Sequence, residues 1–167
     1  MDDERTARRI RVNGIVQGVG FRPFVFQTAR RLGLAGEVSN TSAGVAIHVE
    51  GPPDRIEDFR RALTNTPPPL AHITDVSAEP ATAVGHSGFS IVKSRRGAAR
   101  ATLISPDVAV CQDCLAELFD PADRRYRYPF INCTNCGPRY TIIEDIPYDR
   151  PKTSMRRFAM CPLCRAE

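Results

Sequence analysis

The stretch GIVQGVGFRPF, from Gly14 to Phe24, decides how the chain folds. The residues before it, from Arg8 to Val16, alternate apolar and polar side chains with a period of two, which predicts a half-buried strand. From Phe21 onward, apolar side chains recur at helical spacing, and Pro23 suits a first helical turn because its missing N–H would be unpaired there anyway. The sequence therefore predicts a strand, a glycine-rich turn and a helix that begins beside Arg22.

The segments that follow complete one α+β domain. Further strand patterns occur at residues 37–40, 45–50, 73–79 and 88–93, and a second helix pattern occurs at residues 56–63. The sequence NTSAG predicts a hairpin between the first two of these strands, and Asp54 with Glu57 resembles a capping box. The order β-α-β-β-α-β, with one extra strand, predicts a ferredoxin-like fold in which one antiparallel sheet carries both helices on one face.

The composition is that of a globular protein with a mild preference for anions. The 167 residues are 42% hydrophobic and 25% charged, with a net charge of +4 that no single basic run supplies. This charge falls well short of a nucleic-acid-binding signature. The polar start MDDERTARRI lacks the apolar segment of a signal peptide, and no stretch reaches the length of a transmembrane helix. Because the cysteines also lie only in C-x-x-C pairs, we expect a cytoplasmic protein without a membrane partner.

The turn between the first strand and helix has the chemistry of a phosphate site. Its residues are Gln17, Gly18, Val19, Gly20, Phe21 and Arg22. Glycines let backbone N–H groups approach a ligand closely, and a helix start adds unpaired N–H groups and the positive end of the helix dipole. An arginine can grip two phosphate oxygens with its planar fork. A tight β-α turn with a solvated arginine explains the spacing equally well, because glycine-rich turns are common.

Two motifs in this segment resemble those of the acylphosphatase family. Gly14 to Arg22 matches the pattern G-x-V-Q-G-V-x-F-R, and Gly36 to Asn40 matches G-x-V-x-N. The resemblance implies that Arg22 and the turn amides bind the phosphate of an acyl phosphate, that Asn40 positions the attacking water, and that no metal is needed. The alternative for Asn40 is a hairpin asparagine with an unusual backbone angle. Gly20 and Pro23 differ from many free-standing acylphosphatases, which indicates a specialised branch.

The six cysteines form three C-x-x-C pairs with intervals of 18 and 24 residues: Cys111, Cys114, Cys133, Cys136, Cys161 and Cys164. Two such pairs supply four thiolates, and a tetrahedral site with no open position is typical of structural zinc. The first two pairs therefore predict one zinc site, and Cys161 with Cys164 predicts half of a second site. A pairing in which the last two cysteines share the first zinc stays open. A redox dithiol is disfavoured, because thioredoxin-type pairs do not come in threes.

Residues 126–155, followed by MCPLC, resemble the zinc-finger segment of HypF-type carbamoyltransferases, which are hydrogenase maturation factors. The resemblance implies that the first domain hydrolyses carbamoyl phosphate, while later domains pass the carbamoyl group to a HypE-type protein for conversion to the cyanide ligands of [NiFe]-hydrogenase. It implies an acylphosphatase-like domain at 1–94, a linker at 95–104 and a zinc-finger module at 105–167 whose second finger is cut short. The alternative is a non-catalytic module for docking or structure. Nucleic-acid binding is weaker still, because acidic residues dilute the finger arginines.

Overall fold

The computed structural model describes residues 5–94, 107–133, 136–137, 139–145 and 150–163. The predicted linker at 95–104 and the metal-ligand candidate Cys164 lie outside these ranges. No helix within them is both long and apolar enough to cross a membrane.

Residues 5–94 form strands and helices in the predicted order. They are β1 (Thr6–Ile15), α1 (Phe21–Arg31), β2 (Ala35–Thr41), β3 (Gly44–Gly51), α2 (Pro53–Asn65), β4 (His72–Ala81) and β5 (Phe89–Ile91). The β-α-β-β-α-β order and the extra strand are confirmed. Helix α1 ends just before Gly33, whose φ of 65° is the left-handed conformation that glycine adopts readily.

The five strands form one sheet in the order β4-β1-β3-β2-β5. Strand β1 pairs antiparallel with β3 and β4, and β2 pairs antiparallel with β3. The expectation of an entirely antiparallel sheet is wrong at one edge, since β5 runs parallel to β2. The reason is that the short segment after β4 crosses one end of the sheet and reverses direction, which makes β5 antiparallel to β4 and so parallel to β2.

The strand directions bring the ends of β1 and β2 together. Both strands pair antiparallel with β3, which lies between them. They therefore run parallel to each other and finish at the same end of the sheet. Val45 of β3 is the partner of Val12 in β1 and of Asn40 in β2. The turn after β1 and the last residues of β2 are therefore neighbours.

The hydrophobic core lies between the sheet and the two helices. Ile10 and Val12 of β1 are fully buried, whereas Arg11 between them is exposed, so one face of the sheet is covered and the other meets solvent. Phe21 from α1 and Phe59 from α2 are the largest fully buried side chains of this core. Burial of this kind stabilises each large apolar side chain by about 1.5–3 kcal/mol.

The start of α2 differs from the expected capping box. The residue at the N-cap is Pro52, and no side chain caps the helix. Because the helix begins before Asp54, that residue lies inside the first turn, where its charge complements the helix dipole. Glu57 instead pairs with Arg60 and Arg61 on the surface of the helix.

In the described residues of the second half of the chain, regular structure is limited to short helices. This half contains helix α3 (Gln112–Phe119) and short 3-10 helices at Tyr140–Ile142, Arg150–Lys152 and Ser154–Arg157. Cys114, Ile131 and Cys136 form its small buried cluster. Leu70, in the segment before β4, packs against this cluster and against the core of the first half, so the two halves are in contact.

Candidate active site and metal centre

The turn between β1 and α1, residues 16–20, is here called the glycine loop. Gly18 and Gly20 have φ angles of 73° and 74°, so both adopt the left-handed conformation that favours glycine. Gly20 is also the N-cap residue of α1. The side chains of Val16 and Val19 are buried in the core, which anchors the loop from below. The glycines therefore shape the loop, and the two valines hold it on the domain.

The backbone N–H groups of the glycine loop are available to an anion. Among the residues that the structure describes, none accepts a hydrogen bond from the N–H of Gly18, Val19 or Gly20. The loop leads directly into the N-terminus of α1, whose first turn contains no acidic residue. Arg22 lies in that first turn and is partly buried. Open amides, the helix dipole and a guanidinium group together favour a negatively charged ligand.

Gln17 ties the glycine loop to the neighbouring hairpin. Its side chain is 5% exposed, and its Nε2 donates hydrogen bonds to the carbonyl oxygens of Thr41 at 2.7 Å and Gly44 at 2.9 Å. These two bonds hold the first part of the glycine loop against the β2–β3 hairpin. The sequence does not predict this bridge, because the two partners are 24 and 27 residues away along the chain.

Asn40 lies beside the loop in a fixed position. It is 1% exposed and sits inside β2, paired with Val45, rather than at the turn of the hairpin. The alternative of a turn asparagine with an unusual backbone angle is therefore wrong. Because side chains alternate along a strand, Asn40 shares a face with the buried Val38, which is the face that the helices cover. Asn40, Arg22 and the candidate residues of the glycine loop thus lie at the same end of the sheet.

Four cysteines of the second half form a compact cluster of sulfur atoms. Cys111, Cys114, Cys133 and Cys136 have all four Sγ atoms within 4.8 Å of one another. The measured pairs are Cys111–Cys133 at 3.4 Å, Cys114–Cys136 at 3.6 Å and Cys133–Cys136 at 3.8 Å. A tetrahedral metal with bonds of about 2.3 Å to sulfur requires edges of about 3.8 Å. The four residues are therefore positioned to bind one metal ion.

The surroundings of the cluster fit a structural ion. Cys114 and Cys136 are buried, and burial raises the pKa of the Cys114 thiol, so a bound cation must displace its proton. Arg139 donates a hydrogen bond from Nη2 to Cys136 Sγ at 3.4 Å, and another to the carbonyl oxygen of Ile131 at 3.1 Å. Cys161 is exposed and lies outside the cluster, and its predicted partner Cys164 is not described.

The residue that follows the last cysteine of the cluster contacts the glycine loop. Gly137, directly after Cys136, is buried, and a Cβ atom placed on it would overlap the carbonyl oxygen of Gly18. Its own N–H donates to the carbonyl oxygen of Cys133 at 2.8 Å, which closes the turn of the C-x-x-C pair. Sequence analysis missed this contact; the one local signal was a glycine placed directly after the second cysteine of a pair.

A buried carboxylate was also missed. Glu50, at the end of β3, is 1% exposed, and its oxygens accept hydrogen bonds from the backbone N–H groups of Val84, Gly85 and His86. The Nε2 atom of His48 lies 2.9 Å from Glu50 Oε1. Glu50 thereby clasps the segment between β4 and β5, at the end of the sheet opposite to Asn40.

The fold and the two candidate sites define a ferredoxin-like α+β domain with a glycine-rich loop whose N–H groups are open to an anion, joined to a finger whose four cysteines are positioned to bind a metal ion. The acylphosphatase family model matches residues 8–91, and the HypF finger model matches residues 110–143. The chain belongs to the acylphosphatase family, and with its HypF finger it corresponds to the N-terminal part of the HypF carbamoyltransferases.

Individual relatives agree with this assignment. Carbamoyltransferase HypF2 of Cupriavidus necator is 56% identical over 160 residues, which cover 94% of this chain and 20% of that protein. An acylphosphatase of Thermotoga petrophila is 44% identical over 86 residues, covering 51% of this chain and 94% of that protein. The crystal structure of full-length HypF in the phosphate- and nucleotide-bound form has a TM-score of 0.92 at 52% identity, over 97% of this chain and 21% of that one. The chain thus spans about one fifth of the length of these carbamoyltransferases.

Proposed function

We propose that this chain hydrolyses an acyl phosphate and that its substrate is carbamoyl phosphate. The proposal is supported by the strand directions, which bring the open amides of the glycine loop, Arg22 and the buried Asn40 to the same end of the sheet. The relatives named carbamoyltransferase favour the carbamoyl group over other acyl groups. The match to free-standing acylphosphatases supports hydrolysis as the reaction.

In the proposed reaction, the loop amides and Arg22 hold the phosphoryl oxygens of the substrate. Asn40 orients a water molecule, whose oxygen attacks phosphorus. The P–O bond to the carbamoyl group breaks and carbamate leaves with the bonding electron pair. Both protons of the water stay on the inorganic phosphate, which remains on the loop until release. Because an acyl phosphate is already activated, positioning and charge stabilisation by these residues are sufficient, and the reaction needs no metal.

The proposed setting of this reaction is a longer HypF-type protein. There, carbamate from this domain is used to carbamoylate a HypE-type maturation protein, and the carbamoyl group supplies the cyanide ligands of [NiFe]-hydrogenase. We place this process in the cytoplasm, where reduced cysteines persist. In this setting the acylphosphatase-like domain occupies residues 1–94 and the finger module residues 105–167, joined by a linker at 95–104.

For the finger we propose zinc as the metal. Four thiolates at tetrahedral spacing with no open position are the donor set that zinc takes in structural sites. The ion would join α3 to the loop that contains Cys133 and Cys136, and so reinforce the small buried cluster seen in the described part of this half. Cys161 and Cys164 would supply half of a second site.

Phosphate release from carbamoyl phosphate tests the proposed activity. Arg22→Ala should lower kcat/KM by a factor of about 10² to 10³, because removal of one charge-stabilising group in such sites costs that much. Arg31→Ala is the matched control, since Arg31 is an exposed arginine at the other end of the same helix and should behave as wild type. Equal rates for wild type and Arg22→Ala, in protein that keeps its fold, would contradict the proposal and favour a docking or structural role.

A further inference from the structure

The carbonyl oxygen of Gly18 faces the metal finger. A Cβ on Gly137 would overlap this oxygen and would lie 3.0 Å from the backbone nitrogen of Val19. The oxygen is thus the atom of the Gly18–Val19 peptide that lies nearest to Gly137. Only a glycine lets the two backbones approach so closely, and Gly137 itself has a φ of 62°.

This contact fixes the direction of an N–H group in the glycine loop. A trans peptide is planar, and its C=O and N–H bonds point to opposite sides. Because the Gly18 carbonyl points to the finger, the Val19 N–H of the same peptide points away from it. That N–H is one of the groups for which the described residues offer no acceptor, so it is available to a ligand.

The loop needs such support from outside. Gly18 and Gly20 flank Val19, and glycine rotates between left-handed and right-handed backbone conformations at little cost. Turning the peptide plane before Val19 changes ψ of Gly18, which glycine permits, and φ of Val19, which stays negative, so the plane keeps part of its freedom. A contact on the carbonyl side of that peptide removes this freedom.

The contact is connected to the metal ligands by one covalent step. Gly137 follows Cys136, whose Sγ belongs to the four-sulfur cluster, and the Gly137 N–H bonds to the carbonyl oxygen of Cys133. Leu70 packs against the same cluster from the acylphosphatase side and so holds the finger on the domain. The residue that contacts the loop is thus joined by one peptide bond to a candidate metal ligand.

We infer that the metal finger positions the phosphate-binding loop: with the metal bound, Gly137 seats the Gly18 carbonyl and thereby aims the Val19 N–H at the phosphate. Gly137 is a positioning residue and does not touch the substrate. This role rests on the proposed function for its purpose, but the coupling between metal and loop is a property of the chain itself and is measurable without substrate.

The test compares Gly137→Ala with Gly33→Ala in the full chain. Both glycines have a similar positive φ, 62° and 65°, but an added Cβ meets nothing within 4 Å at Gly33. Gly33→Ala therefore reproduces the backbone strain without the collision. We expect Gly137→Ala to weaken binding of inorganic phosphate at least tenfold and to shift the Val19 amide resonance, while metal per chain stays at the wild-type value. Gly33→Ala should stay within twofold of wild type in phosphate binding.

Metal removal from wild type separates failure of this inference from failure of the proposed function. Removing the metal from wild type with a chelator should also shift the Val19 amide, and this arm decides the matter if Gly137→Ala does not fold or loses its metal. An unchanged Val19 resonance after metal removal, or wild-type phosphate binding by Gly137→Ala, would overturn the inference. If wild type binds no phosphate, the proposed function fails, whereas a Val19 shift on metal removal would still establish the coupling.

Discussion

Replacing Glu50 by glutamine should destabilise the domain in a pH-dependent way. The Glu50 carboxylate is 1% exposed and accepts hydrogen bonds from Val84 N at 2.6 Å, Gly85 N at 3.1 Å and His86 N at 3.2 Å, with His48 Nε2 at 2.9 Å. A glutamine in the same place would turn an NH2 group toward some of these donors. Loss of a charge-assisted network of this kind costs more than loss of a neutral hydrogen bond.

The pKa of Glu50 sets the size and the pH range of the effect. Burial by itself raises the pKa, but the backbone hydrogen bonds and His48 outweigh it and lower the pKa from 4.5 to about 2. The ionised carboxylate therefore stabilises the fold fully above a pH of about 4.5, and this stabilisation is lost as the pH falls toward 2. The difference between the two pKa values corresponds to about 3 kcal/mol, of which roughly 2 kcal/mol is lost by pH 3.

Urea unfolding of wild type and Glu50→Gln at pH 7 and pH 3 measures this contribution. The gap in free energy of unfolding between the two proteins should narrow by about 2 kcal/mol at the lower pH. Glu57 also has a lowered pKa, but it is present in both proteins, so its effect cancels in the comparison. A difference in free energy of unfolding that is the same at both pH values would refute the assignment of Glu50 as an ionised acceptor of these hydrogen bonds. Because Glu50 pairs with Ala7, at the end of the sheet opposite to Asn40, the variant should keep the wild-type KM for carbamoyl phosphate at pH 7.

Three further predictions concern the active site, the metal centre and the sheet. Asn40→Ala should lower kcat at least tenfold with little change in KM, because Asn40 is proposed to orient the attacking water. Steady-state kinetics measures this, with Ser39→Ala on the opposite face of β2 as the control. An unchanged kcat in Asn40→Ala would contradict the proposed role. Cys114→Ser should lower metal per chain by one ion in elemental analysis, and an unchanged stoichiometry would rule out the four-cysteine site. Gly36→Ala should destabilise the domain by more than 3 kcal/mol in urea unfolding, since an added Cβ would overlap a carbonyl oxygen of β3, whereas Gly33→Ala should cost only about 1–2 kcal/mol; equal costs would contradict the predicted collision.

Features set by short stretches of sequence could be predicted. The period-two pattern of β1 and the helix start at Phe21 each depend on neighbouring residues, and the structure confirms them. The sequence motifs also single out Arg22 and Asn40, which the strand directions bring to the same end of the sheet. The spacing of the cysteine pairs predicted a four-thiolate cluster, which the sulfur distances reproduce.

Features that depend on contacts between distant segments could not be predicted. The parallel pairing of β5 follows from the path of the segment after β4, and Glu50 acquires its role from backbone N–H groups that lie 34 to 36 residues further along the chain. The contact between Gly137 and Gly18 joins two halves that the sequence presents as separate modules. The capping box at Asp54 failed for a local reason, because Pro53 starts the helix one residue earlier.

In the proposed function, the glycine loop binds phosphate through its backbone N–H groups. Phosphate binding by the loop is tested by titrating the isotope-labelled chain with inorganic phosphate and following the amide resonances of Gly18, Val19 and Gly20. We expect saturable shifts of these three resonances in wild type and their loss in Arg22→Ala. Shifts confined to the arginines of the second half, or no saturable shift in the loop, would contradict it.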